Sequence, residues 1–167
     1  VQWRQRADRK EGLFAGLRVT APAARQTTWR LAATDYGDIG SLAPGVTAVR
    51  YLEQTPTRQV IQVDIKVLWK QLQLTFEVEQ DPPNAVRFRL VNESLGSYMG
   101  VFRLHEPEPS LEAQEAGSGS GTPIELVTWL QPSRPVPMRL LLVAERMVFL
   151  QGIKQFLELC EQEAGRP

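Results

Sequence analysis

Few side chains in this sequence are suited to catalysis or metal binding. His105 is the only histidine and Cys160 the only cysteine among 167 residues. They cannot supply the multi-histidine or multi-cysteine ligand sets of zinc sites, and a single cysteine forms no internal disulfide. The sequence also lacks a phosphate-binding glycine loop and a nucleophile elbow. It therefore predicts no catalytic residue, no metal and no cofactor.

Glu145 is the one carboxylate that helical spacing places on a predicted apolar face. A buried carboxylate needs a partner or a raised pKa. In the structural interpretation, Glu145 stays wet at a rim and pairs with Arg30 or Arg50. In the functional interpretation, it anchors the polar headgroup of a ligand, and the hydroxyls of Tyr98 and Thr128 add hydrogen bonds.

The charge balance limits the classes of partner. The chain carries 19 basic and 19 acidic side chains, so no global field attracts nucleic acid or an anionic membrane. We expect residues 1–10 to be a flexible segment, whose basic residues allow at most a weak peripheral membrane contact. The single thiol and the absence of a long apolar run favour a cytoplasmic location. Because the sequence starts at Val1, a preceding targeting segment stays an open alternative.

The order of the elements follows from hydrophobic periodicity. Apolar residues at every second position predict strands over 11–20, 46–54, 61–69, 72–79, 86–90, 98–104 and 122–130. A helix is predicted over 23–34, a second short helix over 39–42, and a long helix over 138–163. Residues 105–121 are rich in Glu, Pro, Gly and Ser, so we expect a flexible loop there. The fold class is α+β with one wet sheet face.

Residues around the first helix carry a family resemblance. Trp29-Arg30-Leu31, Asp35-Tyr36 and Pro44-Gly45-Val46 resemble the START-related (SRPBCC) superfamily, which includes polyketide cyclase/dehydrase-like and coenzyme-Q-binding proteins. The resemblance implies a helix-grip fold in a single domain over residues 11–163. In that fold a seven-stranded curved antiparallel sheet wraps around a long C-terminal helix, with two short helices between strands 1 and 2. It also implies a cavity between the sheet and the long helix.

The strand phases and the helix angle identify the side chains that would face this cavity. On the helix we expect a core-facing stripe with a second set of apolar residues on its flank. The stripe consists of Leu141, Val148, Gly152, Phe156 and Leu159, and the flank of Phe149, Ile153 and Cys160. The predicted cavity residues are Val63, Ile65, Val67, Trp69, Phe76, Phe88, Leu90, Tyr98, Phe102, Thr128, Glu145, Val148, Phe149 and Gly152. We expect a ligand to pass through the loops near residues 37–45 and 92–97.

Three functions compete on this fold. The first is binding or transport of a hydrophobic small molecule such as a lipid, quinone, isoprenoid or polyketide. The second is a cyclase or dehydrase that uses Glu145. The third is a protein-interaction adaptor with an apolar patch outside the sheet around Val60 and Leu68. Nucleic-acid binding is not predicted because the aromatic residues are not interleaved with side chains that read bases. The sequence leaves the oligomeric state open.

Overall fold

Alternating residues build one antiparallel sheet that is covered by a long helix. The computed structural model describes residues 2–6, 12–33, 45–67, 70–91, 96–106, 121–133 and 138–165, with the backbone alone for 2–6, 67, 70, 138–145, 147 and 148. The strands are β1 (Gln2–Arg6), β2 (Gly12–Ala21), β3 (Val46–Gln54), β4 (Arg58–Val67), β5 (Lys70–Asp81), β6 (Ala85–Leu90), β7 (Gly96–Leu104) and β8 (Thr122–Pro132). The helices are α1 (Arg25–Ala33) and α2 (Met138–Ala164).

The curved sheet has the strand order β1-β2-β8-β7-β6-β5-β4-β3, and every neighbouring pair is antiparallel. Each meander connection from β3 to β8 joins adjacent strands, whereas β2 pairs with β8 across the sequence. This arrangement confirms the helix-grip fold. We call the sheet face that packs against α1 and α2 the concave face and the opposite one the outer face. Side chains alternate between the two faces along each strand.

Two buried hydroxyls hold the chain at the start of α1, and one of them comes from the sheet. Thr28 lies in the first turn of α1, and its Oγ1 donates to the carbonyl oxygen of Ala24 at 3.1 Å. Thr122 Oγ1, at the start of β8, donates to the carbonyl oxygen of Ala23 at 2.9 Å. Because both threonines are buried, each hydroxyl needs such an acceptor to offset the loss of water. The pair fixes the chain reversal between β2 and α1.

The second half of α2 packs against the concave face through a stripe of buried side chains. Phe149, Ile153, Phe156 and Cys160 form its buried stripe, whereas Gly152 is only half-buried. The predicted stripe was therefore wrong in rotation, because its flank residues face the sheet. Apolar side chains also occupy both flanks of this stripe, so helical spacing alone could not fix the rotation. Neither α1 nor α2, over the residues described, is long and apolar enough to span a bilayer.

The N-terminal residues differ from the prediction. Gln2–Arg6 forms an eighth strand that pairs with β2, where we predicted a flexible segment over 1–10. These five residues contain a single apolar side chain, Trp3, so no alternation could indicate a strand. Backbone pairing with β2 forms it instead. The predicted second short helix at 39–42 and most of the predicted loop at 105–121 lie outside the described residues.

The Cys160 thiol gives a direct check of this packing. Its side chain is fully buried, and desolvation raises the pKa of the thiol from 9.0 to about 11. We expect it to resist alkylation by iodoacetamide in the folded protein and to react on unfolding in urea. Since the folded state binds this proton more tightly, its contribution to the free energy of unfolding is complete below pH 9 and is lost as the pH rises towards about 11.

Urea titrations at several pH values measure this dependence, and the Cys160→Ala variant is the control because it lacks the group. Rapid alkylation of the native protein would contradict the packing of α2 against the sheet.

Candidate functional site

The concave face divides into a closed half and an open half. In the closed half, Ala21, Leu104 and Ile124 pack against Phe156 and Cys160 of α2, and all of them are buried. The open half lies at the opposite strand ends. Leu13 on β2 is buried there, but eight other side chains are only half-buried: Ile65, Leu72, Leu74, Phe76, Phe88, Leu90, Tyr98 and Leu130.

Partial exposure of these side chains is informative because they point towards the helix side of the sheet. Protein interiors pack as densely as organic crystals, so inward-facing Leu and Phe side chains are normally buried. Here a water-sized molecule can reach all eight of them. These eight side chains therefore remain accessible to solvent on the helix side of the sheet.

Three aromatic rings line the middle of the open half. The ring centroid of Tyr98 lies 6.4 Å from that of Phe76 in an edge-to-face arrangement and 5.9 Å from that of Phe88. Gly100, on β7, makes this cluster feasible. A Cβ at Gly100 would lie 2.3 Å from Cζ of Phe88, so only glycine lets that ring extend over β7. The cluster offers apolar ring faces together with one phenol hydroxyl.

The boundary between the halves is set by Phe102 and Phe156. Their ring centroids are 5.2 Å apart with an interplanar angle of 74°, and they separate the aromatic cluster from the closed half. On α2, Gly152 lies one turn before Phe156. A Cβ built on Gly152 would meet no atom within 4 Å, so the space beside this glycine is also open.

Polar groups on the described part of the concave face are uncharged. Those side chains are glutamines, threonines and tyrosines, none of which is ionised near neutral pH. Gln80 donates to the carbonyl oxygen of Ala33, and Thr128 is almost fully buried. No group of three or more metal-ligating side chains occurs within the described ranges. Such a surface can hold an apolar or neutral polar molecule without the cost of burying a charge.

The predicted cavity residues fall into three groups. Ile65, Phe76, Phe88, Leu90 and Tyr98 lie together in the open half, and Gly152 adjoins open space. A second group is packed inside the protein: Val63, Thr128 and Phe149 are buried, and Phe102 contacts the closed half. The third group lies outside the described side chains: Val67, Trp69, Glu145 and Val148.

Sequence reasoning omitted Leu72, Leu74 and Leu130 from the site. The strand alternation already placed the two β5 leucines in phase with Phe76, so this signal was available. Leu130 is the register partner of Tyr98 on β8. The expected partners of Glu145 bind other carboxylates: Arg30 Nη2 lies 2.6 Å from Glu163 Oε2, and Arg50 Nη2 lies 2.8 Å from Asp64 Oδ2.

An exposed apolar patch lies on the outer face, at a different place from the one predicted. Its members are Phe14, Met99, Val101, Val127 and Trp129 on β2, β7 and β8. Val60, where we expected such a patch, is on β4 opposite Glu77 in register, and Leu68 lies outside the described residues. The patch escaped notice because β8 is apolar on both faces near Val127, which obscures the alternation.

Comparisons with known proteins identify the fold. No family model and no curated protein matches the sequence. Among solved structures, the Zhui aromatase/cyclase from Streptomyces sp. R1128 has a TM-score of 0.71 at 14% identity, covering 90% of this chain and 94% of that one. A START superfamily protein from Mycobacterium smegmatis has a TM-score of 0.71 at 13% identity, covering 89% and 97%. Ara h 8.0201 has a TM-score of 0.66 at 12% identity, covering 90% and 99%.

The division of the concave face leads to a difference between two phenylalanines. Phe156→Ala removes a ring from the closed half, so we expect it to lower the free energy of unfolding by about 3–5 kcal/mol. Phe76→Ala should cost clearly less, because its ring is only half-buried and we expect it to lose fewer contacts. Urea denaturation of the two variants beside the parent measures both values. Equal losses would show that Phe76 is packed as tightly as Phe156.

Proposed function

We propose, from the premise that this chain has the helix-grip fold of the START-related superfamily, that it binds a hydrophobic small molecule between the open half of the concave face and α2. The observation that carries the proposal is the partial exposure of eight apolar and aromatic side chains that face the helix side of the sheet. Lipids, quinones, isoprenoids and polyketides are the classes of ligand that suit such a surface. Binding or transport without chemistry is the simplest function that it supports.

Burial of apolar surface supplies the binding energy in this proposal. Removing about 300 Å² of ligand surface from water at ~25 cal/mol per Å² gives roughly 7 kcal/mol before the costs of association. The cluster of Phe76, Phe88 and Tyr98 adds edge and face contacts to ring-containing ligands. The Tyr98 hydroxyl can orient one polar atom of the ligand. The absence of charge on the described concave side chains favours a ligand that is neutral where it touches the sheet.

Gly152 allows the cavity to be filled from the helix. We expect Gly152→Trp to occupy the open space and to weaken binding of the neutral fluorophore N-phenylnaphthylamine by about tenfold or more. Gly152→Ala is the matched control: it should bind the fluorophore like the parent and raise the free energy of unfolding by about 1 kcal/mol, since alanine is the better helix former. Fluorescence titration and urea denaturation measure the two effects.

Native mass spectrometry of gently purified protein, followed by solvent extraction, would identify a co-purifying ligand. Fluorophore binding that is unchanged in Gly152→Trp would contradict this location of the site. Met99→Glu on the outer face separates the two apolar surfaces, because it should leave binding in the cavity unaffected.

A cyclase or dehydrase is the second candidate, favoured by the structural likeness to an aromatase/cyclase and by a phenol on the concave face. This reaction requires at least two polar groups that converge on the ligand. Glu145 would be the acid or base, and Tyr98 would donate a hydrogen bond. Glu145→Gln should then abolish turnover of a poly-β-ketone substrate while leaving its binding intact. Product analysis by liquid chromatography measures turnover, and unchanged product formation in Glu145→Gln would exclude this role.

A further inference from the structure

A groove of about 380 Å³ lies on the outer face, on the side of the sheet opposite the proposed ligand cavity. Its floor is the apolar patch, and its wall along β5 and β6 is charged. Its lining on the outer face consists of Phe14, Glu77, Glu79, Arg87, Arg89, Met99, Val101, Val127 and Trp129. Phe88, Gly100 and Thr128, which have the concave phase of their strands, also border it. We call this feature the outer groove. An apolar concavity on a sheet face that should be wet requires an explanation.

The shape of the outer groove depends on two glycines in β2. A Cβ at Gly12 would lie 2.3 Å from Cζ2 of Trp129, so the indole lies directly over the glycine backbone. At Gly16 a Cβ would have no neighbour closer than 3.9 Å, and the missing side chain leaves a gap between Phe14 and Val127. Trp129 is consequently folded down onto the sheet, and Met99 is the most exposed member of the floor.

The charged side chains around the outer groove form two clusters, each centred on a glutamate. Glu77 binds Arg58 through Oε1, at 2.7 Å, and Arg89 through Oε2. On the other side, Glu125 binds Arg18 through Oε1, at 2.8 Å, and Arg103 through Oε2, at 3.2 Å. Each carboxylate is thus engaged by two guanidinium groups.

In these ion pairs the carboxylates lie beneath the arginine side chains. The two glutamates are 9% and 15% exposed, whereas the side chains of Arg89, Arg103 and Arg18 are 67%, 48% and 77% exposed. Hydrogen bonds from Arg58 and Arg89 lower the pKa of Glu77, and those from Arg18 and Arg103 lower the pKa of Glu125. Both carboxylates therefore stay ionised and bound to the arginines near neutral pH. The guanidinium groups retain N–H donors that point to solvent.

The lining also contains Arg87, which is exposed and makes no ion pair with any described side chain. Its register partner Glu79 is the exposed carboxylate of the groove. Solvent around the outer groove therefore meets mostly guanidinium groups beside an apolar floor. Tryptophan, methionine and arginine are the residue types enriched at protein–protein contacts.

We propose that the outer groove docks an acidic segment of another protein that inserts apolar side chains between Trp129, Met99 and Val101. Carboxylates of the segment would bind the exposed guanidinium groups, which form bidentate pairs with such acceptors. A concave floor with its indole folded down suits inserted side chains, whereas a membrane surface is reached best by protruding ones. The neutral net charge of the chain means that this attraction is local and falls with ionic strength.

Two synthetic helical peptides test the proposal. Both carry Leu at helical spacing, and the remaining positions are Glu in one and Lys in the other. We expect the Glu peptide, titrated into ¹⁵N-labelled protein, to shift the amide signals of Met99, Val101 and Val127 in a saturable way, and the Lys peptide to cause no such shift. Arg87→Glu should weaken binding of the Glu peptide by about tenfold or more, and added salt should weaken this binding further.

Arg146→Glu is the matched control, because Arg146 is exposed on α2, away from the outer groove. It should bind the Glu peptide like the parent, and circular dichroism checks that each variant is folded. Equal binding of both peptides, shifts that map elsewhere, or equal losses in Arg87→Glu and Arg146→Glu would overturn the proposal. So would co-sedimentation with phosphatidylserine vesicles in place of peptide binding, or a dimer in ultracentrifugation that Met99→Glu dissociates. The Gly152→Trp variant should retain peptide binding, which separates this test from that of the cavity.

Discussion

The structure depends on one constraint: the described helices must cover the concave face of a much wider sheet. A helix with its side chains is about 10–12 Å across, whereas neighbouring strands are about 4.8 Å apart. A sheet of eight strands therefore has more inner surface than α2 can contact, even when it curves. The chain meets this constraint unevenly. It packs the second half of α2 and α1 against one set of strand ends and leaves eight apolar and aromatic side chains at the other ends only half-buried.

This uneven packing divides the concave face into a part that stabilises the fold and a part that is accessible to solvent. Phe156 and Cys160 hold the closed half, and Phe102 marks its limit. The eight half-buried side chains of the open half are in contact with solvent, so we expect each of them to contribute less to stability than Phe156. The outer face shows a related separation. Buried glutamates hold the arginines in position, while the arginines themselves present the charge.

The sequence predicted the fold well because β4 and β5 alternate cleanly. The alternation identifies the side of each strand that faces the helix. This side carries Ile61, Val63 and Ile65 on β4 and Leu74 and Phe76 on β5. The rotation of α2 about its axis could not be predicted from the sequence pattern. An apolar helix with several possible stripes is oriented by the shape of the sheet.

Two other features needed coordinates for a different reason. β1 forms through backbone pairing, which leaves no trace in the side chains of Gln2–Arg6. The outer groove depends on where β2, β7 and β8 bring Phe14, Met99 and Trp129 together, and those residues are up to 115 positions apart in the chain. Burial of Glu77 beneath two arginines follows from three strands meeting, so no local pattern could indicate it.

Gly100 affects the size of the proposed ligand cavity. The Phe88 ring occupies the space that a side chain at position 100 would fill. Its orientation therefore depends on the absence of a side chain at Gly100 on the adjacent strand. Adding a single methyl group there would push the ring away from the backbone and into the proposed cavity. In the proposed function, a residue with no side chain therefore helps to set the upper limit on ligand size. Members of this fold could adjust that limit by exchanging one small residue, without altering any group that recognises the ligand.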